Sequence, residues 1–255
     1  LAVDKSFSRG TSATRLHDLA QEYDFFFPSA FYYELFNNNP EGVRRSISGV
    51  DTFYRVDIPT SLRVETESRN PFQNIHSSVL EPNPSIRDEE WQPSSRERNS
   101  LENYKNNAVE PMTTFFTSLQ ETQALGFTPS ELKAVSGSEY EFISLCEQLQ
   151  DPFRIREIAK LANVREASSL DNSWLQFRVL QAWSLQGLVL QRQFPNLNNS
   201  IGRERLIHEI LDLEYLILGL HLGALATKET STKTPILSMA WKFQVLSPCA
   251  LLLTC

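Results

Sequence analysis

Apolar and polar positions near the start of the chain alternate between short compact runs and helical periodicity. The pattern predicts four elements: a strand over residues 1–4, a helix over about 13–22, a strand over 25–27 and a helix that begins at Ser29. Ser12 or Thr14 can cap the first helix, and Pro28 ends the second strand. Strands that alternate with helices in this way are typical of a parallel sheet with crossover helices.

The last third of the chain repeats this alternation. Helical periodicity runs from Arg203 to Leu222 and stops at Gly223, which suits a left-handed C-cap. The pattern then predicts a short strand over residues 224–227, a short helix over 236–241 and a final strand over 243–246 that ends before Pro248. The two ends of the chain are therefore expected to form one α/β domain.

The middle of the chain has a different pattern. Residues 65–100 are rich in Asn, Ser, Pro, Arg and Glu, which indicates a long irregular connection. Helical periodicity then returns over residues 101–125, 129–150, 152–162 and 174–193. We therefore expect an α/β core formed by residues 1–44 and 171–255, with residues 45–170 as an insertion that is irregular over 65–100 and helical over 101–170.

The charge balance narrows the classes of function. The chain has 24 Lys and Arg against 31 Asp and Glu, a net charge of −7. Such an acidic protein is poorly suited to coating nucleic acid non-specifically, because the phosphate backbone would repel its average field. It is compatible with a divalent metal held by clustered carboxylates.

Cysteine usage and hydropathy indicate a cytoplasmic protein that does not enter a membrane. The three cysteines form no Cys-x-x-Cys pair, as is usual in a reducing compartment. The longest apolar run, residues 213–227, includes Glu214 and His221 and is too short to span a bilayer. The opening residues reach a charge at Asp4, unlike a signal peptide.

Four acids fall at or near the predicted carboxyl ends of strands, or on helices that could face them. Asp4 ends the first strand, Glu34 lies in the second helix, Asp212 lies in the long helix before Gly223, and Glu229 follows the strand over 224–227. In an open parallel sheet the binding crevice lies at the carboxyl ends of the strands. Convergent carboxylates there would suit Mg²⁺ or Mn²⁺, whereas any one acid alone is more simply a solvated or capping residue.

The order of these segments resembles the PIN-domain nuclease family. The resemblance is carried by Val3-Asp4-Lys5-Ser6, Pro28-Ser-Ala-Phe-Tyr-Tyr-Glu34-Leu35, the run from Asp212 to Gly223, Ala226-Thr227-Lys228-Glu229 and Val245-Leu-Ser-Pro248. It covers only about residues 1–45 and 200–255. Two features depart from the family pattern: the fourth acid is Glu229 rather than Asp, and the segment between Glu34 and Asp212 is far longer than in a compact PIN domain.

The resemblance implies a three-layer α/β/α fold with a central parallel sheet and a metal-dependent endoribonuclease that hydrolyses phosphodiester bonds with Mg²⁺ or Mn²⁺. It implies the following site: Asp4, Glu34 and Asp212 as catalytic metal ligands, Glu229 as a fourth, and Ser6 and Thr227 as supporting hydroxyls. Glu214 lies two residues from Asp212, about 200° around a helix, so both cannot face one metal. Asp212 is preferred for its spacing to Gly223, and Glu214 remains the alternative ligand or a supporting acid.

Three other interpretations stay open. A catalytically silent PIN-like module could bind a protein partner through the insertion, and a toxin of this family could bind an antitoxin there. His208-Glu209-x-x-Asp212 is close to a zinc-protease helix, but the sequence offers no convincing third ligand. RNA is the expected substrate of the nuclease interpretation.

Overall fold

The computed structural model describes four long segments, residues 1–38, 53–68, 127–193 and 203–227. It also describes the short pieces 79–80, 102–103 and 252–253 and the single residues 47, 50, 95, 99 and 106. All structural statements below concern these residues.

The described residues form six strands and nine α-helices. The strands are β1 (Ala2–Val3), β2 (Phe25–Pro28), β3 (Phe53–Val56), β4 (Val79–Leu80), β5 (Leu225–Ala226) and β6 (Leu252–Leu253). The helices are α1 (Lys5–Gly10), α2 (Ala13–Glu22), α3 (Ser29–Asn38), α4 (Ile58–Ser68), α5 (Pro129–Gly137), α6 (Glu139–Gln148), α7 (Pro152–Leu161), α8 (Leu175–Gln193) and α9 (Arg203–Leu222). A 3₁₀ turn over Ala167–Ser169 precedes α8.

The strands form one sheet in the order β4-β3-β2-β1-β5-β6. Every neighbouring pair is parallel except β3 and β4, which run antiparallel. The expected α/β class with a parallel sheet is therefore confirmed. Strand β1 lies between β2 and β5, so the start of the chain and its last third meet in the centre of the sheet.

Local capping signals account for the helix boundaries that the sequence predicted. The Ser12 side chain accepts a hydrogen bond from the N–H of Arg15 at the start of α2. Gly223 has a φ of 76°, the left-handed conformation expected after the end of α9. The helix expected over 129–150 is instead two helices, because Ser138 ends α5 and its side chain caps α6.

Three parts of the predicted organisation differ from the structure. Residues 53–56, assigned to the insertion, form β3 and pair with β2 along its whole length. Within the segment 65–100, expected to be irregular, residues 65–68 end helix α4 and residues 79–80 form β4. The segment 6–12, which lies between the predicted strand over 1–4 and helix over 13–22 and was interpreted as a loop joining them, contains most of α1. The predicted helix over 236–241, the strand over 243–246 and most of the helix over 101–125 lie outside the described residues.

Aromatic side chains fill the space between the sheet and α3. Phe27 packs edge-on against Phe53, with ring centroids 5.5 Å apart, and lies 4.2 Å from Phe31. On another side of the core, α9 approaches β5 closely. A Cβ atom on Gly219 would lie 2.9 Å from the Cβ of Leu225, so the glycine permits this contact.

Helix α8 lies in the interior of the molecule, as expected for a helix with apolar residues around most of its circumference. It contacts α4, α5, α6, α7 and α9, and two of its buried polar side chains, Gln181 and Gln186, are hydrogen-bonded to its neighbours. The Gln181 side-chain amide donates to the backbone oxygen of Leu149 (3.0 Å), and that of Gln186 donates to Glu209 (2.7 Å). The helices of residues 129–161 therefore join the α/β core through α8.

In the described part of the chain, no helix combines the length and the apolar character that crossing a membrane requires.

Candidate active site

Asp4 and Thr227 meet at the carboxyl ends of two paired strands. Asp4 follows β1, Thr227 follows β5, and the Asp4 N–H donates to the carbonyl oxygen of Ala226 (3.0 Å). The Thr227 hydroxyl donates to Asp4 Oδ2 at 3.0 Å. Asp4 is only 2% exposed and Thr227 1%, so this hydrogen bond fixes a buried carboxylate at the sheet edge where parallel α/β folds bind ligands.

Glu34 accepts a hydrogen bond from a residue of α9. The Tyr215 hydroxyl donates to Glu34 Oε2 at 2.7 Å, across 181 positions of sequence, and both side chains are buried. Burial raises the pKa of Tyr215 well above its usual value, and the charges of Glu34, Asp4 and Asp212 raise it further. Glu34 contacts the Tyr215 hydroxyl, whereas Asp4, which follows β1, and Asp212 of α9 affect its pKa through their charge.

The two acids of α9, of which the sequence favours Asp212 as the ligand, have different surroundings. Asp212 is half-buried and lies one helical turn before Tyr215. The carboxylate of Glu214, which is 7% exposed, accepts a hydrogen bond from the N–H of Ala30 at 2.8 Å. That N–H lies in the first turn of α3, so Glu214 caps a neighbouring helix.

Two predicted site residues have side chains outside the described part of the structure. Glu229 follows β5 beyond the last described residue of that segment, and Ser6 lies in α1 with its side chain undescribed. Helix α1 begins directly after Asp4, since the Ser8 N–H donates to the carbonyl oxygen of Asp4 at 3.1 Å in its first turn. Their predicted roles stay predictions.

The donor chemistry of the site suits a hard divalent cation, since Asp4, Glu34, Asp212 and Thr227 offer only oxygen. Within the described residues, however, no three His, Cys, Asp or Glu side chains already form a group that could hold a metal ion. Asp4 and Glu34 each accept a hydrogen bond from a hydroxyl instead. The donor types fit Mg²⁺ or Mn²⁺. The described carboxylates alone, however, do not lie as close together as the ligands of a bound ion.

The zinc-protease interpretation gains no support from α9. His208 is exposed, and Glu209, which would be the general base of such a motif, accepts a hydrogen bond from Gln186 of α8. The described residues supply no third ligand near these side chains.

A cavity of about 220 Å³ lies elsewhere in the molecule. It is bordered by α4, by the turn that follows α7 and by the residues that lead into α8, with Glu65, Arg165 and Trp174 among its lining side chains. None of the predicted site residues lines it. The cavity and the acids are therefore separate features.

Tyr215 is the residue of the site that sequence reasoning missed. The available signal was its position three residues after Asp212, which places both side chains on one side of α9. A tyrosine within an apolar helix is ordinarily a core residue, and only the three-dimensional structure brings its hydroxyl to Glu34.

Comparisons of the chain with known protein families, with curated proteins and with solved structures find no match.

Proposed function

We propose that this chain is a PIN-like, metal-dependent endoribonuclease. In this proposal Asp4, Glu34 and Asp212 bind Mg²⁺ or Mn²⁺, with Glu229 as a fourth ligand. The observation that carries it is a pair of buried carboxylates beside the carboxyl ends of neighbouring parallel strands: Asp4, held by Thr227, and Glu34, held by Tyr215. The charges of Asp4, Glu34 and Asp212 all help to raise the pKa of Tyr215. Buried charges at the carboxyl edge of a parallel sheet favour a metal-binding function.

The sheet order supports the same proposal. Asp4 and Thr227 follow adjacent parallel strands, and β2 leads directly into α3, which carries Glu34. Short connections at this edge bring together residues that the sequence resemblance selected independently. The three-layer, PIN-like form of the fold belongs to the proposal, whereas the parallel α/β sheet is observed.

Each side chain has a stated task in this reaction. Asp4, Glu34 and Asp212 supply anionic oxygens to the cation, and the Thr227 hydroxyl orients Asp4 through its 3.0 Å hydrogen bond. When bound, the cation would activate water and offset negative charge on the scissile phosphate. The net charge of −7 is not suited to holding long RNA by bulk attraction, so recognition depends on groups local to the site.

One observation favours a second candidate, a catalytically silent module of the same fold. Among the described side chains no metal-binding group of three is formed, and hydroxyls occupy oxygens of Asp4 and Glu34. In such a module these hydrogen bonds would stabilise the core, and the helices of residues 129–161 would offer the surface for a protein partner.

A cleavage assay separates the two candidates. We expect RNA to be cut in millimolar Mn²⁺ or Mg²⁺ and not in EDTA. Asp212→Asn should lower the rate by roughly 100-fold or more, because it removes a carboxylate that the cation requires. Asp18→Asn, which changes an exposed acid of α2, is the matched control and should cleave like the unchanged protein. If purified protein cuts neither structured nor unstructured RNA with either metal, the silent module is the better description.

A further inference from the structure

Two adjacent residues of α9, Glu214 and Tyr215, both hold α3. Glu214 accepts a hydrogen bond from the N–H of Ala30 at 2.8 Å, and the Tyr215 hydroxyl donates to Glu34 at 2.7 Å. All four residues are buried. Charged hydrogen bonds in a buried setting are short, directional and costly to break, so these two contacts constrain the helix strongly.

The two contacts hold α3 at points one helical turn apart. The contact at Ala30 is made by its backbone N–H in the first turn of α3, where free N–H groups point along the helix axis. The contact at Glu34 is made by its side chain, four residues later. Together they restrain α3 against α9, and loss of either would weaken that restraint.

Asp212 lies on the same helix as the two residues that hold α3, one turn before Tyr215. Glu214 and Tyr215 therefore contribute to fixing the separation between Asp212 and Glu34. We propose that Glu214 and Tyr215 are positioning residues that fix Glu34 relative to Asp212, and that Glu214 is not itself a metal ligand. This inference rests on the proposed metal-binding function.

The chain offers a matched pair of tyrosines for the test. Tyr215→Phe removes the hydroxyl that contacts Glu34 and keeps the ring. Tyr32→Phe removes another buried hydroxyl, on α3 itself, which has no hydrogen-bond partner among the described residues. The readout is the Mn²⁺ concentration that gives half of the maximal rise in melting temperature, measured together with the circular dichroism of the metal-free protein.

We expect Tyr215→Phe to raise this Mn²⁺ midpoint by roughly 10–100-fold, the usual cost of losing a residue that orients a metal ligand. Tyr32→Phe should keep the midpoint of the unchanged protein. If the Tyr215 hydroxyl is only structural, Tyr215→Phe should lower the metal-free melting temperature and leave the Mn²⁺ midpoint unchanged. That result would overturn the positioning role. If the unchanged protein shows no Mn²⁺ response, the proposed function itself fails and this inference with it.

Glu214 provides a second test that does not depend on Tyr215→Phe being able to fold. In Glu214→Gln the amide oxygen can still accept a hydrogen bond from the N–H of Ala30. If Glu214 is a positioning residue, the Mn²⁺ midpoint of this variant should therefore lie within about threefold of that of the unchanged protein. Glu214→Ala removes the contact and should raise the midpoint by roughly tenfold or more. A loss in Glu214→Gln as large as that in Asp212→Asn would make Glu214 a ligand and overturn the proposal.

Discussion

Four buried carboxylates in the described residues each accept a hydrogen bond from a residue far along the chain. Asp4 accepts from Thr227, Glu34 from Tyr215, Glu214 from Ala30, and Glu65 from Leu175 and Gln176, over separations of 110 to 223 positions. Burying a carboxylate without such donors would cost several kcal/mol. These hydrogen bonds therefore join distant segments of the chain in the folded core.

A half-buried histidine, His221, gives a prediction for pH dependence. Burial, with a smaller contribution from the charge of Arg178, lowers the pKa of His221 from 6.5 to about 4. Between these values the unfolded chain takes up a proton that the folded chain does not, so the free energy of unfolding falls as the pH drops from about 6.5 towards 4. Above pH 6.5 this effect is absent.

His221→Asn removes the titrating group, and its melting temperature should fall less steeply than that of the unchanged protein over this pH range. The carboxylates titrate equally in both proteins, so the difference between the two curves isolates His221. Parallel curves from pH 7 to pH 4 would show that His221 titrates alike in the folded and unfolded chain.

Residue types at the site were predictable from the sequence, whereas their partners were not. Asp4, Glu34 and Thr227 stand next to strand ends or helix starts that local patterns reveal. The choice between Asp212 and Glu214 stayed open, because helical spacing shows that the two acids diverge but not which of them faces α3. The N–H of Ala30, 184 positions away, accounts for Glu214.

At the scale of elements, two helices are capped by an acid from another helix. Glu214 of α9 accepts from the first turn of α3, and Glu65 of α4 accepts from the N–H groups of Leu175 and Gln176 (both 2.9 Å) at the start of α8. A carboxylate at a helix N-terminus satisfies donors that the helix cannot satisfy itself and complements its dipole. Each contact thus stabilises one helix and docks another.

Glu65→Ala tests this capping arrangement away from the proposed site. The buried N–H of Leu175 and the partly buried N–H of Gln176 would lose their acceptor, which should reduce the free energy of unfolding by about 2–4 kcal/mol. Glu65→Gln retains one acceptor oxygen and should lose about half as much. Urea denaturation measures both.

The control for Glu65 is Glu157→Ala, which removes an exposed ion pair with Lys160 and should cost about 0.5 kcal/mol or less. A loss in Glu65→Ala no larger than in this control would mean that α8 does not depend on the Glu65 contact.

Elements with local signals were predicted best. Helices α2 and α9 have the expected bounds because Ser12 and Gly223 mark their ends. Strand β3 was missed because its four residues are too short a run to identify a strand by themselves, and only pairing with β2 makes it one. The break at Ser138 was missed because apolar periodicity continues from α5 into α6.

At the scale of the whole molecule, the candidate site joins the two ends of the chain. Strand β1 lies in the sheet between β2, which leads to Glu34, and β5, which leads to Thr227, while α9 supplies Asp212 and Tyr215. A cation bound by acids from these segments would link the first 38 residues to the last third of the chain. Because it would bind the folded state and not the unfolded chain, it would stabilise the whole domain.

The most direct test of the proposed site is therefore the melting temperature with and without Mn²⁺, for the unchanged protein, Asp4→Asn, Asp212→Asn and the exposed-acid control Asp18→Asn. At a hundredfold excess over Kd, Mn²⁺ should stabilise the unchanged protein and the control by about 2.7 kcal/mol, a rise of several degrees. Asp4→Asn and Asp212→Asn should show little or no rise. Melting curves that millimolar Mn²⁺ leaves unchanged in all four proteins, or raises equally in all four, would contradict a metal site at these acids.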